Sequence, residues 1–570
     1  MRGAILRSLP IGLFLIVAYS MFVQTPDDAF ITYRYAANLV AGHGAVFNVG
    51  DRVEGYSSPL HMLLSAALIF GLSTSDVLLP AKILGLLFGV GTLLMMAPIG
   101  RRLELRPRDV MLAQLLVVLN PSFAISASNG LETSLYGFLI SVTAWLFLRE
   151  METKQGTLSG WMAFALLFTR PDATLICAAL FGLRALEARR SGTLRTRFIV
   201  LWAAAFVLPT IALIAARLLY YGELLPNTYY AKDTALSFGI PQGIRYLTKA
   251  LAPRVNHIFA GETLATKLVL VASVPVYWGT LMWGAWKARR QRPMWICSAL
   301  TAATAVFVMK AGGDWMQGWR FCVPVLPLMA LLQCYAVRNI GDGFAASATA
   351  ARGALATLVR TAPVVLLGFW LVVLNVAPRM PWHSIGFATS GRDFLAASVD
   401  AQVNGLMQVQ IGEWMAQHLP RGSSVAYSEV GYAGITNMDK RFVDLFGLVT
   451  KQVARAVPRQ KKVQLGSLDK SWFTDASPVG KVLLQLRPKY IIYPGPYAAS
   501  VLGHYHLREV LPRSLTRIEP ICVYEFMEDA DLKSTGPSTP RPRRSSLTST
   551  RPPGARRMPY DTDRPRTFGR

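Results

Sequence analysis

Long apolar stretches alternate with short polar loops along the first two thirds of this chain. Apolar runs of helical length lie near residues 9–23, 78–99, 109–127, 131–148, 157–169, 172–188, 198–219, 267–286, 293–310, 321–337 and 353–377. A helix needs roughly 20 apolar residues to cross a hydrocarbon core. A soluble protein would interrupt such runs with polar residues far more often. The pattern therefore predicts a polytopic α-helical membrane protein of about 11 helices.

The pattern changes after the last of these runs. Shorter apolar runs at 423–434, 441–449 and 489–495 are bounded by Gly and Pro, which is typical of buried strands. Helical patterns at 406–419 and 478–486 lie between the strands. We expect an α/β domain over residues 379–530.

The last residues of the chain have a third kind of composition. From residue 531 to residue 570, Arg, Pro, Ser and Thr dominate and apolar residues are few, which predicts a disordered basic tail. The predicted organisation is a membrane module over 1–378, whose first external loop is 24–77, the α/β domain over 379–530, and the tail.

Clusters of basic residues predict how the chain is oriented. They lie at 101–108, 184–197 and 287–292, and short loops rich in Lys and Arg stay on the cytoplasmic side. Residues 1–23 are expected to form an uncleaved first membrane helix, and the apolar stretch 59–72 is too short to cross. The external face then carries residues 24–77, 129–133, 220–232, 312–320 and everything after 378.

The formal net charge of +26 comes from 59 Lys and Arg against 33 Asp and Glu. In a soluble protein that excess would indicate nucleic-acid binding. Here many of the basic residues lie in short loops between apolar runs, so membrane orientation accounts for them. No nucleic-acid partner is predicted.

Two adjacent carboxylates, Asp27 and Asp28, follow the first apolar run. Adjacent carboxylates repel each other, so together they favour a cation, a cationic ligand or a shared proton. The alternative is a solvated helix cap, because Asp at a helix start favours the positive end of the helix dipole. Position alone does not decide between the two interpretations.

The sequence contains no GxGxxG, Walker or GxSxG motif. An external enzyme has no supply of nucleotide sugars, so an activated sugar would have to arrive on a lipid carrier. Its transfer needs a base for the acceptor hydroxyl and cations for the leaving phosphate. Either aspartate suits the base. The candidate phosphate partners are Arg34, Arg170, Lys232 and Arg320, each of which has the alternative of an interfacial anchor.

Several motifs resemble one branch of the GT-C superfamily of membrane glycosyltransferases. The segment DDAFITYRYAANLVAGHGAVFNVGDRVEGYSSPL (27–60) is similar to the hallmark segment of that branch, which includes actinobacterial arabinofuranosyltransferases that use decaprenyl-phosphate arabinose. NGLET, TRPD, LPNTYYAK, GGDWMQGWRFCVPVLP and YSEVGYAGITNMDKRFVDLFGL follow in similar order and spacing. The resemblance covers roughly residues 5–530.

The resemblance implies an inverting transferase in a bacterial plasma membrane, acting outside the cytoplasm. The donor would be a polyprenyl-phosphate sugar such as a pentose, and the acceptor a glycan of the cell envelope. Asp27 and Asp28 match the catalytic pair, which in some relatives holds a divalent cation such as Mg or Mn. The substrate-binding candidates are Tyr33, Arg34, Asn38, Glu54, Tyr56, Arg170, Asn227, Lys232, Asp314, Trp315 and Arg320.

Other residues have two interpretations each. Glu54 and Tyr56 line an acceptor groove or form a turn before Pro59. His43 is a ligand or belongs to a strained turn. Glu429 and Asp444 face the active site or cap the external domain. The remaining candidates, His504 and His506, favour a surface strand.

Two other functions compete with the transferase. The first is a transporter or flippase for lipid-linked sugars, which would carry ionisable residues near mid-membrane and often inverted repeats. No internal repeat is found, and the acidic pair lies at a membrane boundary. The second is a non-catalytic surface or motility assembly factor on the same scaffold. Trp315 and Trp319 differ from the family pattern and leave the sugar and the acceptor open.

Overall fold

We describe the protein from a computed structural model. The residues described are 2–22, 25–73, 76–191, 196–251, 277–314, 316, 319–347, 408–457, 476–494, 504–511 and 521–527. The predicted helix at 353–377, the tail at 531–570 and the candidate Trp315 lie outside these ranges.

The described part of residues 2–347 is helical. The helices are α1 (Arg2–Ser20), α2 (Asp27–Val40), α3 (Pro59–Leu72), α4 (Leu78–Arg102), α5 (Pro107–Val118), α6 (Pro121–Ser128), α7 (Thr133–Thr153), α8 (Leu158–Thr169), α9 (Ala173–Ser191), α10 (Thr196–Tyr221), α11 (Asn227–Lys232), α12 (Leu236–Leu251), α13 (described over 277–288), α14 (Trp295–Ala311) and α15 (Leu326–Ser347).

Four helical segments in the described ranges are long and apolar enough to cross a membrane. They are Leu78–Arg102, Phe198–Tyr221, Arg292–Ala311 and Val323–Gly343. The bent pair Pro107–Val118 and Ser122–Ser128 would make a fifth span. The chain is thus a polytopic helical membrane protein, and the predicted count of about 11 helices stays a prediction.

The predicted continuous helix at 109–127 is wrong. The structure divides it into α5 and α6, which meet at an angle of 68°. Pro121 cannot donate a backbone N–H to a continuing helix. It is the first residue of α6, and the Asn120 side chain caps the new helix by accepting the N–H of Ser122 at 3.1 Å.

The C-terminal region is an α/β unit, as predicted. Its strands are β1 (Ser424–Tyr427), β2 (Arg441–Asp444), β3 (Tyr490–Pro494), β4 (Tyr505–Val510) and β5 (Ile521–Phe526), in the order β2-β1-β3-β5-β4. β1 is parallel to β2 and β3, whereas β5 is antiparallel to β3 and β4. The helices are α16 (described over 408–418), α17 (Val430–Thr436), α18 (Lys451–Ala456) and α19 (Pro478–Leu486).

The two faces of this sheet pack against different parts of the chain, because successive side chains of a strand point to opposite faces. Ala426, Val443 and Ile491 pack with Val479 and Leu483 of the same domain. The alternate residues, Val425, Phe442 and Tyr490, instead share a core with α2, α3 and the loop between them, including Tyr33, Tyr35 and Phe47. The first loop and the C-terminal domain are therefore built around one core.

Candidate active site

The acidic pair begins α2, directly after Pro26, which is the N-cap residue. Acidic residues in a first turn complement the helix dipole. The two neighbours nevertheless have different surroundings. Asp27 is buried, and its Oδ2 and Oδ1 accept the backbone N–H groups of Gly431 (2.7 Å) and Tyr432 (2.8 Å) in the first turn of α17.

The burial of Asp27 decides its acid–base behaviour. Desolvation raises its pKa to about 6, with a further contribution from the Asp28 charge, although the two N–H bonds act in the opposite direction. Asp27 thus caps a helix of another domain. The alternative of a solvated helix cap is wrong for Asp27, because the side chain is buried.

Asp28 is half-buried and has no hydrogen-bond or ion-pair partner among the described residues. The Arg320 guanidinium is near enough to interact with it electrostatically. A half-buried carboxylate that keeps its lone pairs free can accept a proton from a substrate hydroxyl. The structure therefore distinguishes the two aspartates, which the sequence did not.

Glu429 is a third carboxyl beside this pair. It directly precedes α17 and accepts a hydrogen bond from Nε2 of Gln408 at 3.2 Å. Burial raises its pKa to about 8, with the charges of Asp27 and Asp28 adding to the effect. Of its two interpretations, the structure favours a position at the acidic pair.

A buried ion network lies under the site, at the start of α7 and the end of α8. Nη1 of Arg170 binds Glu132 at 2.7 Å, and its Nε binds Asp172 at 2.8 Å. Burial alone would raise the pKa of Glu132, but Arg170, followed by Arg320 and His61, lowers it to about 2. Two carboxylates compensate the charge of Arg170, and its predicted role as a phosphate partner stays a prediction.

Asp314 and Arg320 form an ion pair beside this network. The Arg320 side chain is buried and interacts electrostatically with Glu132 as well as with Asp28. Arg320 is therefore at the candidate reaction centre, where its phosphate role stays a prediction. Asp314 serves to hold Arg320, so its predicted direct contact with substrate is not supported.

His61 and Glu132 are site residues that the sequence analysis did not select. His61 is buried near the start of α3, its ring centroid 6.3 Å from that of Tyr33, and its Nδ1 has no hydrogen-bond partner. Burial lowers the pKa of His61, and the charge of Glu132 partly opposes that effect. The sequence offered one signal for each: His61 stands inside an apolar helix, and Glu132 belongs to the NGLET motif.

Arg34 is wrong as a phosphate partner. Its guanidinium is buried and donates to the carbonyl oxygens of Phe47 (2.7 Å), Gly434, Asn437 (3.1 Å) and Lys440 (2.8 Å). The rings of Phe47 and Phe442 cover it at 4.5 and 5.1 Å. Four of its five N–H groups thus bind main-chain carbonyl oxygens of the described residues, and the guanidinium is buried among them.

Five more substrate-binding candidates have structural partners instead, and these assignments are also corrected. Tyr33 donates to the carbonyl oxygen of Gly130 at 2.6 Å, and the Asn38 amide donates to Val46 at 2.8 Å. Glu54 forms a two-pronged ion pair with Arg217, and Tyr56 bonds the hydroxyl of Tyr221 at 3.0 Å. Asn227 donates to the carbonyl oxygens of Gly447 and Leu448, both at 2.8 Å.

Lys232 differs from these residues. It ends α11 with an exposed side chain, and its ammonium group has no hydrogen-bond or ion-pair partner among the described residues. An ammonium group on a flexible stem can follow a phosphate as it leaves. Of the four predicted phosphate partners, Lys232 keeps its charge free for substrate.

The remaining ambiguous residues are structural. Asp444 accepts the N–H groups of Phe446 (2.8 Å) and Val449 (3.1 Å), which closes the turn after β2. His43 is exposed between Gly42 and Gly44, whose φ angles of 81° and 87° confirm the turn. His506 lies on β4 with its side chain at the surface, as predicted.

The predicted cation site at the acidic pair does not fit this geometry. Both oxygens of Asp27 already accept N–H groups. No group of three or more His, Cys, Asp or Glu side chains in the described ranges could hold a metal ion. A divalent cation stays a prediction, and we derive no chemical step through one.

Known proteins share parts of this chain. Residues 398–530 match the sequence profile of a family described as "Domain of unknown function (DUF8728)". A terminal β-(1→2)-arabinofuranosyltransferase of Mycobacterium tuberculosis is 28% identical over 347 residues, which are 53% of this chain and 51% of that protein. The enzyme of the same name from Corynebacterium glutamicum is 27% identical over 369 residues, 60% of this chain and 52% of that protein.

The chain is similar to terminal arabinofuranosyltransferases. This confirms the resemblance seen in the motifs, although the chain spans about half the length of the curated relatives it matches. Among solved structures, ArnT from Cupriavidus metallidurans bound to undecaprenyl phosphate has a TM-score of 0.49 at 12% identity, covering 90% of this chain and 97% of that one. Mycobacterial arabinofuranosyltransferase AftD has a TM-score of 0.49 at 13% identity, covering 92% and 42%.

Proposed function

We propose that this protein transfers a sugar, a pentose such as arabinofuranose, from a polyprenyl-phosphate donor to a glycan of the bacterial cell envelope. The observation that carries the proposal is the Asp28 carboxylate, which interacts electrostatically with Arg320 and has no hydrogen-bond or ion-pair partner in the described part of the chain. The likeness to terminal arabinofuranosyltransferases supports the choice of reaction and of sugar.

We propose a single displacement with inversion, as the resemblance to the GT-C branch implies. Asp28 accepts the proton of the acceptor hydroxyl while that oxygen attacks the anomeric carbon of the donor. The bond between this carbon and the phosphate oxygen breaks, and the polyprenyl phosphate leaves with the electron pair. Arg320 and Lys232 stabilise the negative charge that develops on the phosphate.

The donor assay tests this reaction directly. Purified protein should transfer the pentose from a polyprenyl-phosphate pentose to an arabinan acceptor, and it should not use nucleotide sugars. Asp28→Asn should abolish the transfer. Turnover of a nucleotide sugar without lipid would contradict the mechanism, and movement of lipid-linked sugar across vesicles without transfer would favour a transporter.

We place the site on the external face of the plasma membrane. The segments predicted to be external meet at one end of the helices: Tyr33 binds Gly130, and Asn227 binds Gly447. Cysteines introduced at the exposed positions His43 and Arg421 should react with a membrane-impermeant thiol reagent in whole cells. Cysteines at Arg190 and Arg289 should react after lysis, and the opposite labelling would invert the topology.

Whether the transfer needs a divalent cation is a separate part of the proposal. A cation at the site would contact Asp28, substrate phosphate and water, because Asp27 is occupied. Transfer measured in EDTA and after addition of Mg²⁺ or Mn²⁺ tests this. Activity that a chelator leaves unchanged would remove the cation from the mechanism.

A further inference from the structure

Helix α17 of the C-terminal domain lies along α2 and is held at both ends by side chains of α2. At its first turn, the Asp27 carboxylate accepts the N–H groups of Gly431 and Tyr432. The first N–H groups of a helix have no partner within the helix, and the positive end of the dipole lies there. A buried carboxylate satisfies both requirements.

The other end of α17 meets the opposite charge. The Arg34 guanidinium donates to the carbonyl oxygens of Gly434, Asn437 and Lys440, where the last carbonyl groups of a helix lack partners. Asp27 and Arg34 are separated by about two turns of α2, and α17 itself has 7 residues. The spacing of the two charges on α2 therefore matches the length of the helix that they hold.

Close backbone contact completes the arrangement. A Cβ at Gly431 would collide with the main-chain carbonyl oxygen of Asp27, and one at Gly434 would lie 2.7 Å from Cζ of Phe47. The rings of Phe30 and Tyr432 meet edge to face, 5.1 Å apart. Only glycine allows the two helices to approach this closely at these positions.

The contact between α2 and α17 determines where Glu429 lies relative to Asp28. Asp28 is the residue after the anchor on α2, and Glu429 is two residues before Gly431 on the other side. Glu429 interacts electrostatically with Asp28. A shift of α17 along α2 would therefore move the carboxyl of the external domain relative to the proposed base.

We propose that Asp27 is a positioning residue, which together with Arg34 locks α17 across α2 and so fixes the external domain over Asp28. The proposal rests on the proposed function for the role of Asp28, whereas the lock itself does not depend on it. On this view the two neighbouring aspartates have separate tasks. Asp28 takes the proton, and Asp27 keeps the site assembled.

Amide hydrogen exchange tests the lock without reference to activity. In Asp27→Asn the amides of Gly431 and Tyr432 should exchange at least about tenfold faster than in the wild type, because one of the two accepting oxygens becomes an NH2 group, which donates and cannot accept an N–H bond. Arg34→Met should have the same effect through the far end of α17. Asp28→Asn is the matched control and should leave these amides at the wild-type rate.

Covalent rescue separates positioning from chemistry. Phe30→Cys and Tyr432→Cys, joined by a short bismaleimide, should restore transfer to Asp27→Asn and should not restore it to Asp28→Asn. Gly434→Ala disturbs the same contact from the domain side without removing a carboxylate, so it should also lower transfer. If Asp27→Asn does not fold, Gly434→Ala tests the contact in its place.

The outcomes are distinguishable. Wild-type exchange in Asp27→Asn, or a cross-linked Asp27→Asn protein that stays as inactive as Asp28→Asn, would overturn the positioning role and return Asp27 to the chemistry. If the wild type transfers no sugar from any lipid donor, the proposed function fails. The exchange rates of Gly431 and Tyr432 would still decide the lock.

Discussion

Helices α7, α8 and α9 carry a buried ion network at each of their two ends, and the networks differ in how their charges are paired. At the end remote from Asp28, Glu150 accepts hydrogen bonds from Ser159 and from Arg184 at 2.8 Å. Arg184 also binds Glu187 at 3.2 Å. The rings of Phe147 and Trp202 cover its guanidinium at 4.2 and 5.3 Å.

The end near Asp28 begins in the same manner, since Arg170 joins Glu132 and Asp172. Beyond that pairing lie two groups without a hydrogen-bond or ion-pair partner in the described ranges: the Asp28 carboxylate and Nδ1 of His61. Charges that are paired with counter-charges hold helices together, as in the Glu150 network, where Nε of Arg184 alone among its guanidinium nitrogens has no hydrogen-bond partner in the described ranges. Charged groups without a bonded partner can act on a substrate. Removing a charged side chain should therefore lower stability at one end of these helices and activity at the other.

The largest effect on activity is expected at the end near Asp28, here called the open end. Asp28→Asn should lower kcat by roughly 10²–10⁴-fold, which is the usual contribution of a general base. The melting temperature in detergent should stay at the wild-type value, because the carboxylate has no bonded partner to lose. Full activity of this variant would remove the distinction between the two ends.

Mutations at the end that holds the Glu150 network, here called the closed end, should lower the stability of the protein. Glu150→Ala removes one of the two carboxylates paired with the buried Arg184, and breaking a buried pair typically costs about 3–5 kcal/mol. Thermal unfolding of the purified protein measures this loss. Glu152→Ala on the same helix is the control, because its side chain is 53% exposed and its pair with Arg102 contributes about 1 kcal/mol or less. Equal losses in the two variants would mean that burial of the Glu150 network stabilises nothing.

A smaller effect is expected for the free cation. Lys232→Met should weaken donor binding by about 1.5–3 kcal/mol, the range for a hydrogen bond to a charged group. The KM for the lipid donor should rise by about 10–100-fold, while that for the acceptor stays near the wild-type value. Lys287→Met at the closed end is the control, and a matching rise there would point to a general charge effect.

The smallest effect concerns pH. The pKa of Glu429 is raised in the folded state to about 8 from an ordinary 4.5, so its contribution to stability is present below pH 4.5 and is lost as pH rises towards 8. The corresponding contribution of Asp27, whose pKa is about 6, is lost at a lower pH. Glu429→Gln should therefore flatten the decline in melting temperature between pH 6 and 8. Glu413→Gln, on an exposed position of α16, should leave the decline unchanged.

Much of the architecture could be predicted from the sequence. The apolar runs predict α8, α10 and α14 to within a few residues, and the short runs after residue 420 predict β1, β2 and β3. These elements follow from local periodicity and from the transfer of apolar side chains out of water, both of which a single segment expresses. Helix α17 was not anticipated, because the run 423–434 is apolar throughout and a short apolar run does not distinguish strand from helix.

The roles of charged residues depended on the tertiary structure. Arg34 resembles a phosphate ligand in sequence, yet its partners lie as far away as Lys440, 406 positions along the chain. Glu54 likewise reads as a groove residue until Arg217 is found beside it.

The sequence by itself determined that this is a membrane chain with an acidic pair at its first loop, because hydrophobic length and residue identity are local properties. The tertiary structure decided that Asp27 is bonded and that Asp28 has no bonded partner among the described residues. A carboxylate's role depends on which donors surround it, and for Asp27 those donors belong to a helix more than 400 residues away.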